Sequence, residues 1–163
     1  MPTAAHPPAS HVRPGAIPWP PVLLALAVVG AVALKDLAPL PWPGVGDGPA
    51  SLIGLGFGAA GLAIAVWAAL TLRRHRTTIL PHQGATTLVT DGPYRWRRHP
   101  IYIADVFLLF GAAELTRNVW FVLLAFAFAG LVTVLQIRPE ERHLDAVFGE
   151  AWRAYAARTR RWI

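Results

Sequence analysis

The chain has 163 residues, 55% of them apolar and only 15% charged, and its mean hydropathy is +0.43. A soluble domain carries about 25% charge, so the composition excludes an ordinary soluble globular fold and indicates a small all-α, polytopic membrane protein. The absence of cysteine rules out disulfides, thiolate metal centres and a cysteine nucleophile.

Residues 1–14 read as a disordered tail before a single membrane domain over 15–163. The first span is expected at about 15–36, uncharged from Gly15 to Leu34, with Pro18, Pro20 and Pro21 in opening turns where a missing N–H costs least. A signal-peptide reading of Val22–Ala33 is disfavoured by the long, proline-rich and weakly basic leader. The second span, about 49–72, ends abruptly at Arg73-Arg74-His75-Arg76. Within it, Gly56-Phe57-Gly58-Ala59-Ala60-Gly61 satisfies the GxGxxG pattern, but no strand precedes it, as a dinucleotide site requires. Gly54, Gly58, Gly61 and Ala65 read instead as a surface for close helix packing.

The third span, about 100–115, is interrupted by Asp105 and Glu114. It counts as a span because Glu114-Leu115-Thr116-Arg117-Asn118 reads as a short turn closing a helical hairpin with the fourth, about 119–137. An amphipathic interfacial helix is expected over 139–158, with Leu144, Val147, Phe148, Ala151, Trp152 and Tyr155 as its apolar stripe.

With four spans, only Lys35 and Arg117 of the fifteen Lys and Arg residues lie on one side of the membrane. The positive-inside rule then makes the other side cytoplasmic, with both termini there. The net charge of +6 is thereby explained by topology and anionic headgroups, and no nucleic-acid partner is expected.

The polar residues gather in two cytoplasmic segments, Arg73–Tyr102 and Arg138–Trp162. Asp91-Gly92-Pro93-Tyr94 is turn chemistry, Thr86-Thr87-Leu88-Val89 looks extended, and Pro100 suits the first turn of span three. Read plainly, Arg95–Arg98 anchor the interface and His99 caps a helix. On span three, Tyr102, Asp105 and Leu109 share a face, so Asp105 either lines a site or sits near the interface. Glu140 and Glu141 occupy the first turn of the last helix, where the helix dipole favours negative charge. A carboxylate pair at the end of a span needs partners, for which Arg98, Arg138 and His99 are the candidates. The six histidines show no spacing typical of zinc, and no metal is expected.

Gly92-Pro93-Tyr94-Arg95, Arg98-His99-Pro100-Ile101-Tyr102, and then Glu140-Glu141-x-x-Leu144-x-x-x-Phe148-Gly149-x-x-Trp152-x-x-Tyr155 resemble the isoprenylcysteine carboxyl methyltransferase and phospholipid methyltransferase superfamily. The hallmark there is RHPxY, a hydrophobic hairpin and a Glu-Glu pair opening a cytoplasmic helix. The match covers about 86–162; Trp152 stands where the family usually has Tyr, and the four-span chain is shorter than the eukaryotic prenylcysteine enzymes, which carry extra N-terminal helices.

The resemblance implies a membrane methyltransferase that takes S-adenosylmethionine from the cytoplasm and a lipophilic or lipid acceptor from the bilayer. It implies that Arg98, His99, Tyr102, Glu140, Glu141, Gly92 and Tyr94 hold the cofactor, with Glu141 and Arg138 as catalytic candidates. A carboxylate acceptor needs no base, an amine needs one (Glu141), and a phenol or thiol lies between. Two other classes share the outline: a sterol-reductase-like enzyme using a nicotinamide cofactor, and a scaffold whose glutamates cap a helix. Cofactor binding separates them.

Overall fold

The computed structural model describes residues 19–43, 48–76 and 87–163. The expected tail and the first residues of the first span lie outside them. Among the described residues all regular structure is helical, apart from one parallel bridge between Arg97 and Arg160. The helices are α1 (Trp19–Leu37), α2 (Pro49–Arg74), α3 (Pro100–Thr116), α4 (Val119–Val132), α5 (Arg138–Phe148) and α6 (Glu150–Arg158). A single 3-10 turn covers Gly92–Arg95, and a π-turn, Thr133–Ile137, joins α4 to α5 without a break.

Among the described residues three helices are long and apolar enough to cross a membrane: α1, α2 and the continuous rod Val119–Phe148. α3 has 17 residues and begins at Pro100, whose fixed φ and missing N–H fit a first turn. It lies between α2 and α4, while α1 packs mainly on α4 and also touches α3.

The α2–α3 contact is as close as the small residues suggested. A Cβ on Gly61 would lie 2.9 Å from the Ala104 carbonyl oxygen, and one on Gly111 would lie 2.5 Å from Gly58 Cα. Only residues without a side chain allow backbones to approach so closely. Gly54 sits against Glu114 at one end of the pair and Gly61 against Ala104 nearer the other, so the helices are antiparallel. The far end is stapled by polar bonds. Glu114 accepts from Ser51 Oγ at 2.7 Å, and Asn118 caps α4 while donating to the Ala31 carbonyl at 2.7 Å. The α3–α4 turn is as expected, with Arg117 left-handed at φ 50°.

One expectation needs correction. The segment 139–158 is not one helix: Gly149, at φ 52° and ψ −120°, ends α5, and α6 starts afresh. The positive φ is costly for a residue with a Cβ. The apolar stripe consequently divides, with Leu144, Trp152 and Tyr155 buried together while Val147 and Ala151 are exposed. The expected extended stretch before Asp91 has no regular structure from Leu88 to Thr90, although Val89 is buried with Ala68, Leu72 and Tyr94; Thr86 lies outside the described residues.

Candidate active site

The chain reaches the site from three directions. Gly92 turns at φ 55°, where a Cβ would lie 2.5 Å from Thr71 Oγ1 on α2, so this turn demands glycine twice over. The turn delivers Arg98 and His99 to the head of α3. From the other side, the π-turn feeds α5 and its glutamates. The third approach is the tail after α6, which folds back so that Arg98 N–H donates to the Arg160 carbonyl at 3.0 Å. Tyr155 Oη anchors this arrangement by donating to the Tyr94 carbonyl at 2.7 Å, and Trp162 Nε1 donates to Thr133 Oγ1 at 3.0 Å.

Glu141 is the hub. Its Oε1 lies 3.2 Å from Arg98 Nη1 and 3.2 Å from His99 Nε2. Arg161 grips both of its oxygens, with Nε at 3.1 and 3.2 Å and Nη2 closer still. An ionised carboxylate can only accept, so Nε2 is the nitrogen of His99 that carries the proton. Burial pushes the Glu141 carboxyl up. Hydrogen bonds from His99 and Arg161 and the charges of His99 and Arg98 outweigh that and hold it at about 2. His99 occupies the N-cap position of α3, as the plain reading of the sequence has it, but its side chain makes no capping bond; its buried ring serves Glu141 and stacks on Tyr102 with centroids 5.6 Å apart.

Glu140 has different company. Its Oε2 accepts from Tyr102 Oη at 3.3 Å and from Gln136 Nε2 at 3.4 Å, both neutral donors. The two adjacent glutamates are therefore distinct: three cationic or proton-donating side chains surround Glu141, whereas among the described residues only neutral donors bond Glu140.

Of the residues singled out from sequence, Arg98, His99 and Glu141 converge, and Tyr102 meets Glu140. Tyr94 is buried close by, its hydroxyl pushed up by burial, then by the charge of Glu140 and by Tyr155. Gly92 shapes the turn against α2. Arg138 is exposed and bonds neither glutamate among the described contacts, though it lines the same cleft. That cleft, about 780 Å³ and open to solvent, is bounded by Arg138, Glu141, Arg142, Trp152, Ala156 and Arg161; Arg98, His99, Tyr102 and Glu140 do not line it.

Sequence reasoning missed Arg161 and Gln136. The spacing of Gln136 four residues before Glu140 was a usable signal. Arg161 gave none, because a basic run at the end of a cytoplasmic helix is already accounted for by topology.

A family model described as phospholipid methyltransferase matches residues 50–151, from the start of α2 into α6. The chain belongs to the phospholipid methyltransferase family. Residues 50–151 thus form a methyltransferase domain, and membership implies S-adenosylmethionine as the methyl donor. Arg161, the third partner of Glu141, lies beyond the matched segment. Over 74 residues the chain is 40% identical to the cobalt-zinc-cadmium resistance protein CzcN of Cupriavidus metallidurans, a stretch covering 45% of this chain and 33% of that protein. The chain therefore aligns with only about a third of that relative's length. No solved structure matches.

The residues present fit the donor. Among the described residues Arg98 Nε is buried without a hydrogen-bond partner, and a buried donor left open is met by water or by an acceptor group of a ligand. Glu140 offers the complementary charge for an ammonium group.

Proposed function

We propose that this protein transfers a methyl group from S-adenosylmethionine to a lipophilic or lipid acceptor at the cytoplasmic face of the membrane. The observation that carries the reading is the unpartnered Arg98 Nε beside a Glu141 saturated with cations and a Glu140 that is not. Arg98 takes the donor's carboxylate, Glu140 its ammonium, and Glu141 holds Arg98 and His99 in place. Held ionised so firmly, Glu141 is a poor proton acceptor and works as a positioning group. Arg138 stands at the cleft rim, where its charge attracts anionic ligands. When bound, the cofactor supplies an electrophilic methyl on a sulfonium, so the protein's task is orientation and exclusion of water.

All four helices α1–α4 cross the bilayer in this reading. α3 runs antiparallel beside α2 from Glu114 to Ala104, and its 17 residues extend about 25 Å. The site then shares a side with nearly all the Arg residues, which places both termini in the cytoplasm.

The test is to incubate the purified protein in lipid with methyl-labelled S-adenosylmethionine and partition the label. Label in the organic phase is the expected result. Intact donor with no measurable binding overturns the proposal, and binding of a nicotinamide cofactor in its place would favour the reductase. Tyr102→Phe removes a hydrogen bond to the charged Glu140, worth about 1.5 kcal/mol. Titration calorimetry should show roughly tenfold weaker donor binding with the melting temperature little changed.

A further inference from the structure

α3 carries two carboxylates, and the fold treats them differently. Glu114 is buried and bonded by Ser51 and Arg117. Asp105 is only partly buried, and no hydrogen bond or ion pair reaches it among the described residues. It is the sixth residue of the helix, about 8 Å along the axis from Pro100. A carboxylate at such a place in a membrane helix is costly unless it serves a ligand or a water-filled path.

Its surroundings point toward the site. Asp105 lies one turn further along α3 from Tyr102, whose hydroxyl donates to Glu140. Tyr102, Glu140 and Gln136 form a hydrogen-bonded line, and Asp105 is the next carboxylate beyond its α3 end. Of the three carboxylates, Glu141 is held by cations and Glu140 faces the donor. Asp105 has no partner among the described residues and lies one turn deeper along α3 than Tyr102, the direction from which a molecule dissolved in the bilayer would come.

Resting on the methyltransferase reading, we propose that Asp105 is the acceptor-side base, and that the acceptor is a lipophilic molecule with a proton-bearing nucleophile, an amine, phenol or thiol, rather than a carboxylate. The acceptor's lone pair forms the new bond to the methyl carbon. The sulfur leaves with the electron pair of the broken carbon–sulfur bond, and the acceptor's proton passes to Asp105. A carboxylate acceptor would have no proton to give and would be repelled by Asp105.

The experiment uses phosphatidylcholine vesicles doped with decylamine, 4-decylphenol, decanethiol or decanoic acid, with labelled S-adenosylmethionine and either the wild-type protein or Asp105→Asn. The wild type is expected to label one of the three protic compounds in base-stable form and to leave decanoate unlabelled. Asp105→Asn, nearly isosteric, should slow that transfer about a hundredfold or more, the usual worth of a general base, with donor affinity by calorimetry and melting temperature within about twofold and a few degrees of wild type. Base-labile label on decanoate, or wild-type rates in Asp105→Asn, overturns this proposal alone. Failure of the wild type to bind the donor overturns the methyltransferase reading and this proposal with it.

Discussion

Glu141→Ala should abolish measurable binding of S-adenosylmethionine and lower the melting temperature more than any other substitution in the site. Among the described residues this carboxylate is the one side chain that bonds Arg98, His99 and Arg161 alike, tying the head of α3 to the tail. Without it these side chains face one another with no anion between them. Removing one partner of a buried ion cluster costs about 3–5 kcal/mol. Arg161→Ala should do less, because that side chain is 37% exposed against 11% for Glu141 and water can replace part of its contact. A larger loss from Arg161→Ala than from Glu141→Ala would show that the hub is misplaced.

The same cluster sets an acid limit. Glu141 is lowered in the folded protein from about 4.5 to about 2. Its contribution to stability is therefore complete above about pH 4.5 and is lost as the pH falls towards 2. Thermal melts of the wild type across that window should show an acid-dependent loss that Glu141→Ala lacks.

Gly111→Val should prevent assembly of the bundle. A Cβ there meets Gly58 Cα at 2.5 Å, and backbone inside a packed helix pair cannot yield as a flexible side chain can. The helices must part along the whole Gly54–Gly61 face, at a cost of about 3 kcal/mol or more. Gly130→Val is the control, since a Cβ at Gly130 meets nothing within 4 Å. Size-exclusion profiles and melts in detergent should separate the two variants clearly; equal behaviour would mean that the α2–α3 contact is not the one described.

Much of this was legible in the sequence because the signals were local. Uncharged runs mark α1, α2 and α4, small residues at helical spacing mark the α2–α3 seam, and Asn118 is a natural cap. α3 was harder, since its carboxylates break the apolar run and it extends only 17 residues. The single helix expected over 139–158 failed because the residues on both sides of Gly149 are good helix formers and the apolar stripe continues in register across it. Arg161 was out of reach for another reason. It meets Glu141 across twenty residues only because the tail folds back, and no periodicity encodes that return.

The five-residue turn at Thr133–Ile137 also has a bearing on how this site tolerates change. Each residue of an ordinary helix advances the direction of side chains by about 100°, and a widened turn absorbs one extra residue with almost no change of phase between α4 and everything after it. Substitutions that keep the turn wide leave that phase untouched. Tightening of all five residues into plain α-helix would instead swing both glutamates about a quarter-turn from His99 and Tyr102, whereas loss of a single codon there would let the rod close with the glutamates still facing them. After such tightening every side chain of the site would still be present, and the site itself would be gone.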